Sequence, residues 1–186
     1  MGEVISKISA ELASQGDKFF FIENIKALQW GDVFYNLTGI DFAGDKKYLE
    51  LKSVIEECKD DYTRLMLSIM YEKADIYANM QNDYKSGKDM SIYSEKILPQ
   101  LLSDYEKLCE IHTERWFSCN KPFGGEVLQS RYATMIHRIK YAISVVEKYA
   151  NGEIKNIDEL DITPVYGQSK PGAYNFNAFT RVINYN

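Results

Sequence analysis

The apolar residues of this chain recur every three to four positions over most of its length, which is the spacing of an amphipathic helix. We predict four long helices from this pattern, and short connections between them favour an antiparallel bundle. The apolar stripes that define the four helices are Tyr48, Leu51 and Ile55; Tyr62, Met66, Ile69, Ile76, Tyr77, Met80 and Tyr84; Ile97, Leu101, Tyr105, Leu108 and His112; and Leu128, Tyr132, Met135, Ile136, Ile139, Ile143, Val146 and Ala150.

Polar residues and glycines mark the ends of these predicted helices. Asp60-Asp61 offers an N-cap for the second helix, and 86–89 (Ser-Gly-Lys-Asp) ends that helix and caps the third. Asn151-Gly152 ends the fourth helix in the same way. Pro99 falls inside the third pattern, so we expect either a kinked helix or one that begins near Leu98.

The connection between the third and fourth helices is short and stiff. Residues 120–125 read Asn-Lys-Pro-Phe-Gly-Gly and cannot continue a helix, because proline disfavours the α region for the residue before it. The two helices on either side must therefore fold back on each other. We expect Trp116, Phe117 and Phe123 to be buried where this corner closes the helix pair.

The chain divides into three parts of one mainly α domain. Residues 1–45 are predicted to form a short helix at 3–14 and an aromatic-rich loop whose side chains anchor it to the bundle. Residues 46–152 form the bundle core. Residues 153–186 contain Pro164, Gly167, Pro171 and Gly172, and we predict an extended tail that packs on the bundle or on a partner domain.

Composition points to a soluble globular protein without a nucleic-acid or membrane partner. The chain has 186 residues, a net charge of −5 and 45% hydrophobic residues, and this acidic balance disfavours binding to nucleic acid or to anionic lipid. Three cysteines, an odd number, are typical of free thiols in a reducing compartment. Because no secretion signal is visible at the N-terminus either, we expect a cytoplasmic protein.

The sequence offers few candidates for chemistry. Cys109 and His112 lie one turn apart, with Cys119, Glu126 and His137 within reach, so a zinc site and a Cys/His nucleophile pair are the two candidate sites. Neither motif spacing nor an orienting carboxylate supports them, and a buried thiol beside a hydrogen-bonded core histidine is the favoured interpretation.

Adjacent carboxylates at Asp158-Glu159 could serve acid/base catalysis if their environments differed. They follow the end of the fourth helix in a polar segment, so we interpret them as a solvated turn or a helix cap. The residues alone therefore predict no catalytic group, no metal site and no cofactor.

A family resemblance extends this interpretation. One motif comprises Arg115, Trp116, Lys121, Pro122, Phe123, Gly124, Glu126 and Arg131. Segments 35–37, 71–75, 149–154, 157–160 and 178–183 add to it. Together they resemble, over about residues 28 to 186, the C-terminal helical domain of a branch of the family 20 glycoside hydrolases, the exo-acting β-N-acetylhexosaminidases.

The resemblance implies a supporting role in a glycosidase. In such enzymes a catalytic Asp-Glu pair at the end of a strand of a (β/α)₈ barrel acts with the acetamido group of the substrate, and no metal is required. The barrel is absent here, so those roles are not carried onto Asp158-Glu159. The chain also departs from the family at Gln129 and at Ala133-Thr134, where an acidic residue and two glycines are expected.

Two hypotheses of different classes follow. In the first, the chain is a non-catalytic domain that buttresses the catalytic barrel, in the same or a separate chain, and contributes to dimerisation. In the second, it is a free-standing helical protein–protein interaction domain without an enzymatic role. An exposed apolar face would favour the first hypothesis, and we expect residues 17–45, including Trp30 and Phe34, and residues 173–186 to carry it.

Overall fold

The computed structural model describes residues 28–36, 42–44 and 46–161, and this part of the chain is helical without any strand. The predicted mainly α bundle is confirmed. Its elements are a 3₁₀ turn at Lys46–Glu50, α1 (Leu51–Glu57), α2 (Asp61–Lys85), a π-helical turn at Tyr93–Ile97, α3 (Leu98–Cys119), α4 (Gly125–Ala150) and α5 (Asp158–Asp161).

The long helices alternate in direction, and α2 lies between two apolar clusters. The larger cluster joins α2, α3 and α4, and its fully buried members include Ile69, Ile76, Met80, Leu101, Tyr105, Leu108, Tyr132, Ile139 and Val146. The smaller cluster lies on the opposite side of α2, against α1 and the aromatic loop, whose described residues are 28–36 and 42–44. It is formed by Leu28, Phe42, Tyr48, Leu51, Leu67, Met70, Ala74 and Ala78. The predicted apolar stripes thus form most of the larger core.

The helices begin and end close to the capping residues that the sequence predicts. Asp60 caps α2, because its Oδ2 accepts hydrogen bonds from the amide of Thr63 at 2.9 Å and from its hydroxyl at 2.7 Å. Gly87 and Gly152 adopt positive φ angles of 72° and 74° just after α2 and α4. This left-handed conformation lets the chain turn away from a helix and satisfy its last carbonyls.

A π-helical turn accommodates Pro99 at the start of α3. The chain is already helical from residue 91, and within Tyr93–Ile97 the turn widens. The amide of Leu98 donates to the carbonyl of Tyr93, five residues back. Pro99 has no amide hydrogen to donate, and it directly follows the widened turn, where the regular i to i−4 hydrogen-bond pattern is already interrupted. The α segment begins at Leu98, which agrees with one of the two alternatives.

The aromatic loop packs against the helices, as the sequence predicts for its described residues. Trp30, Val33, Phe34 and Phe42 are all buried. The ring of Trp30 meets that of Tyr132 edge to face, with centroids 4.8 Å apart. The expectation that Trp30 and Phe34 lie on an exposed interface is therefore wrong, because the chain's own helices cover them.

The segment after α4 also differs from its prediction. Residues 153–161 form turns and the short helix α5 instead of an extended strand-like chain. Ile157 and Leu160 are buried in the larger core. The hydroxyl oxygen of Tyr84 accepts a hydrogen bond from the backbone amide of Ile157 at 3.0 Å. The predicted helix at 3–14 and the predicted tail at 162–186 lie outside the described residues.

Candidate functional site

Lys73 is a fully buried lysine in the middle of α2. Its Nζ donates a hydrogen bond to the carbonyl oxygen of Gly31 and lies about 6 Å from the ring centroids of Tyr77 and Tyr105. Burial lowers the pKa of Lys73 to about 7, and the nearby charge of Asp32 opposes that shift. The amine is therefore enclosed by the aromatic loop and its partner helices.

Two tyrosines hold the same loop through its backbone. The hydroxyl of Tyr105 donates to the carbonyl of Gln29, and that of Tyr77 donates to the carbonyl of Asp32. Together with Lys73 they satisfy three carbonyls within four consecutive loop residues. Unpaired buried carbonyls are costly, so these side chains fix the loop on the bundle.

An ion pair ties the loop to α4. The Nε of Arg138 lies 2.6 Å from Oδ2 of Asp32. The other carboxylate oxygen of Asp32, Oδ1, accepts a hydrogen bond from the backbone amide of Phe34 at 2.9 Å. Burial acts to lower the pKa of Arg138, but the hydrogen bond and the charge of Asp32 together outweigh it, so the pKa is raised. The pair lies in a largely covered position, where it fixes the direction of the loop along α4.

Glu72 and Asp104 form a carboxyl pair between α2 and α3. Burial, followed by the neighbouring Asp104, raises the pKa of Glu72 to about 8. Oε2 of Glu72 is buried and makes no hydrogen bond to the part of the chain that the structure describes. A carboxyl group in this position holds its proton at neutral pH.

The predicted Cys/His cluster is a hydrogen-bonded structural site. Nδ1 of His112 lies 2.9 Å from the hydroxyl of Tyr132 and 3.3 Å from that of Tyr62. Burial, with a smaller effect of Arg115, lowers the pKa of His112, and burial raises that of Cys109. The histidine is hydrogen-bonded, as the favoured interpretation predicts, but Cys109 and His112 are half-buried and not core residues.

The other candidate ligands do not converge on this histidine. Cys119 and His137 are exposed. The carboxylate of Glu126 instead accepts a hydrogen bond from the backbone amide of Gly124 at 2.8 Å. Over residues 28–36, 42–44 and 46–161, no group of three or more His, Cys, Asp or Glu side chains is placed to hold a metal ion. Asp158 and Glu159 lie in the first turn of α5, next to Tyr141, as a capping turn would.

The connection between α3 and α4 is a compact corner, which we call the α3–α4 corner (residues 116–127). Gly124 has a φ of 98°, and a Cβ there would lie 3.0 Å from the ring of Trp116. A Cβ on Gly125 would lie 2.7 Å from the ring of Phe117. The indole nitrogen of Trp116 donates to the carbonyl of Lys121 at 3.2 Å. The two glycines therefore permit a close approach of backbone to aromatic rings.

The corner aromatics are more exposed than the sequence suggests. Phe123 is 89% exposed and Phe117 48%, whereas Trp116 is half-buried. The prediction that Phe117 and Phe123 plug the end of the helix pair is wrong. Phe123 lies in the turn between the two helices, whereas the rings that pack together across α2, α3 and α4 are those of Tyr62, His112 and Tyr132.

The remaining motif residues support the corner or lie on its surface. Arg115 pairs with Asp60 at the start of α2, and its guanidinium lies 4.9 Å from the ring centroid of Tyr62. Hydrogen bonds from Arg115 and Thr63 hold the pKa of Asp60 well below its usual range. The other motif positions are Lys121 and Pro122, which are exposed, and Arg131, which is half-buried on α4.

The polar contacts to the aromatic loop were missed by sequence reasoning, although one signal was present. Lys73 lies four residues after Ile69 and three before Ile76, on the apolar stripe of α2. A lysine on an apolar stripe indicates either a snorkelling side chain or a buried partner. The partner carbonyl, that of Gly31, lies 42 positions away in the chain and has no sequence signature.

Comparison with known proteins gives a family. The family model described as the Glycoside Hydrolase 20C C-terminal domain matches residues 13–175. No curated protein matches the sequence. Among the described helices, none has both the length and the apolar character needed to cross a membrane.

Proposed function

Because the chain belongs to the glycoside hydrolase 20C C-terminal domain family, we propose that it is the non-catalytic helical domain of a β-N-acetylhexosaminidase and buttresses a (β/α)₈ catalytic barrel. The observation that carries this proposal is the family match, which spans residues 13–175. The described contacts add support, because the side chains of Lys73, Tyr77, Tyr105 and Arg138 all bind the chain's own aromatic loop.

The carboxyl groups support a non-catalytic role. In family 20 enzymes the acetamido group of the substrate acts beside an Asp-Glu pair, so the spacing between two carboxyl groups that identifies other glycosidases does not apply. Glu72 has the raised pKa of a general acid, but it interacts directly with Asp104 between two packed helices. Asp158 and Glu159 are neighbours on the short helix α5. Both pairs lie on helices, whereas the resemblance places the catalytic Asp-Glu pair at the end of a barrel strand.

A rigid bundle is suited to supporting another domain. The aromatic loop is fixed to α2, α3 and α4 by Lys73, Tyr105 and Arg138, respectively. Such a preorganised surface loses little conformational entropy when a partner domain packs on it. Binding only to the folded catalytic domain would then stabilise that domain by mass action.

Two measurements test the proposal. The purified chain should release no chromophore from an aryl N-acetyl-β-glucosaminide, because the catalytic carboxylates belong to the barrel. Added at a hundredfold excess over its Kd, the chain should stabilise a separately purified 20C catalytic domain by about 2.7 kcal/mol, seen as a rise in Tm of several degrees. Hydrolysis by the chain alone would refute the non-catalytic role.

The alternative is a free-standing helical interaction domain. It would gain support if the chain changed neither the Tm nor the activity of the catalytic domain. In that case the exposed apolar side chains of the α3–α4 corner would serve another partner.

A further inference from the structure

Glu72 and Asp104 lie on the faces by which α2 and α3 pack together. Residues three and four positions apart share one face of a helix. Each of the two carboxyl residues has a buried apolar residue three positions before it and another four positions after it: Ile69 and Ile76 around Glu72, and Leu101 and Leu108 around Asp104. The carboxyl groups are therefore placed at the contact between the two helices, beside the larger core.

The two side chains are in hydrogen-bonding contact across the helices. A hydrogen bond between two carboxyl groups requires a proton on one of them, because an ionised carboxylate can only accept. Without that proton, two negative charges would face each other in a partly buried position, and their repulsion opposes the ionisation of both. The contact itself therefore binds one proton.

The surroundings of the two groups place this proton on Glu72. Oε2 of Glu72 is buried and accepts no hydrogen bond from the part of the chain that the structure describes. An ionised oxygen in that position is costly, whereas a protonated carboxyl group becomes a donor. Asp104 is better suited to carry the charge, because Nε2 of Gln100 donates to its Oδ2 at 3.2 Å. The raised pKa of Glu72 agrees with this assignment.

The described groups that act on the charge of Glu72 include no cation. Besides Asp104, the phenol of Tyr105 faces Glu72 from α3. Lys73, the next residue of α2, donates its hydrogen bond to the aromatic loop, and Arg138 of α4 pairs with the same loop. The shared proton is therefore the positive charge that joins the two carboxyl groups.

We propose that Glu72 and Asp104 form a proton-dependent clasp between α2 and α3: one shared proton joins the helices at neutral pH, and its loss at alkaline pH loosens them. Hydroxide takes the proton from the Glu72 carboxyl group and forms water, which leaves two carboxylates in contact. One of them then has a buried oxygen without a donor among the described residues. This property belongs to the bundle itself and does not depend on the proposed function.

Carbon-13 NMR of the whole chain, labelled at the glutamate side-chain carboxyls, tests where the proton is held. Glu72→Gln assigns the Glu72 signal by its loss, and in the parent chain this signal should titrate at a pKa of about 8. Asp104→Asn should lower that pKa by about one unit or more, because it removes a negative charge and its amide can donate to Glu72.

Two results of this titration would overturn the clasp. One is a Glu72 pKa near the ordinary value of 4.5 in the folded parent chain. The other is a pKa that Asp104→Asn leaves unchanged, because burial alone would then hold the proton.

The clasp also predicts how stability changes with pH. Between 4.5 and about 8, the ordinary and the folded pKa of Glu72, the folded chain binds more protons than the unfolded chain. The unfolding constant of the parent, divided by that of Glu72→Gln, should therefore rise with pH, by up to about tenfold per unit. His112 and Lys73 are present in both chains, so their effects cancel in this ratio.

Urea unfolding at a series of pH values measures the two constants. Glu110→Gln, on an exposed position of α3, is the matched control, and its ratio to the parent should stay constant. If the ratio for Glu72→Gln were also constant, the contact would contribute packing alone and the proposal would fail.

Amide hydrogen exchange locates the loosening within the bundle. The protection factors of α2 and α3 around Glu72 and Asp104, taken as the ratio of parent to Glu72→Gln, should fall between about pH 6 and about pH 9. Use of the ratio removes the intrinsic effect of pH on exchange. A ratio that stays the same would show that the contact between α2 and α3 does not respond to the proton, and the clasp would be refuted.

Discussion

At Lys73 the position on the apolar stripe and the charge of the side chain predict opposite locations. Its place between Ile69 and Ile76 on the stripe of α2 predicts a core position, whereas its charge predicts the surface. The structure places it in the core and supplies the carbonyl of Gly31 as its partner. Periodicity could predict the burial, but not the partner, because backbone carbonyls of a distant loop leave no pattern in the sequence.

The buried Lys73 should make stability depend on pH. Its pKa is about 7 in the folded chain and 10.5 ordinarily, so the unfolded chain binds more protons between these values. The free energy of unfolding should therefore rise with pH across this window, by a few kcal/mol in total. Lys73→Met should remove the rise, which urea unfolding at a series of pH values would measure.

An exposed lysine provides the control for this experiment. Lys107→Met, on the outer face of α3, should keep the pH dependence of the parent. Equal slopes for Lys73→Met and the parent chain would show that another group causes the dependence.

Phe123 illustrates a limit of prediction at the scale of single residues. A helical residue has a face that periodicity reveals, but a residue in a tight connection has none. An aromatic residue beside two long helices was therefore expected to be buried, and its ring instead points outward. The rings that pack together across the three long helices are those of Tyr62, His112 and Tyr132, which lie far apart in sequence.

Helices as elements were predictable because their signals are local. The stripe and caps of α2 lie within its own residues, and the helix begins and ends where Asp60 and Gly87 indicate. The widened turn before Pro99 was not predictable as a π-helix. Proline indicates only that the regular ladder must change, and a kink, a new start and a π-turn all satisfy that requirement.

The glycine corner offers a test at the scale of elements. Gly124→Ala should lower the free energy of unfolding by about 2 kcal/mol, because φ is positive and the new Cβ would press on Trp116. Gly87→Ala is the matched control: its φ is also positive, but a Cβ there meets nothing within 4 Å. It should cost about 1 kcal/mol.

The difference between the two alanine variants isolates the contact with Trp116. Thermal and urea unfolding of both variants would measure it. If the Gly87 and Gly124 variants were equally destabilised, the close approach of the corner to that ring would not contribute to stability.

At the scale of the whole molecule, α2 is the element that both apolar clusters share. The cluster that includes Leu67 and Met70 connects it to α1, and the cluster that includes Ile69 and Ile76 connects it to α3 and α4. The sequence predicted a single stripe on α2 and therefore a single core. The second core depends on the aromatic loop, which has no periodicity from which its packing could be read.

The two tryptophans should differ in their contribution to this architecture. Trp30 is buried against Tyr132, so Trp30→Ala should cost about 3 to 5 kcal/mol. Trp116 is half-buried, so Trp116→Ala should cost clearly less. Urea unfolding followed by circular dichroism measures both. A larger loss for Trp116 would mean that the corner, and not the loop, supports the fold.

The exposed thiol of Cys119 is a natural site for selective labelling of this chain. Its thiol is exposed at the end of α3, two residues from Phe117, while Cys58 is buried and Cys109 half-buried. A maleimide dye reacts with accessible thiolates, so labelling favours Cys119 over the other two. A fluorophore attached there reports the polarity of its surroundings, so a shift of its emission maximum on mixing with a purified 20C catalytic domain would test whether that domain binds near the exposed phenylalanines.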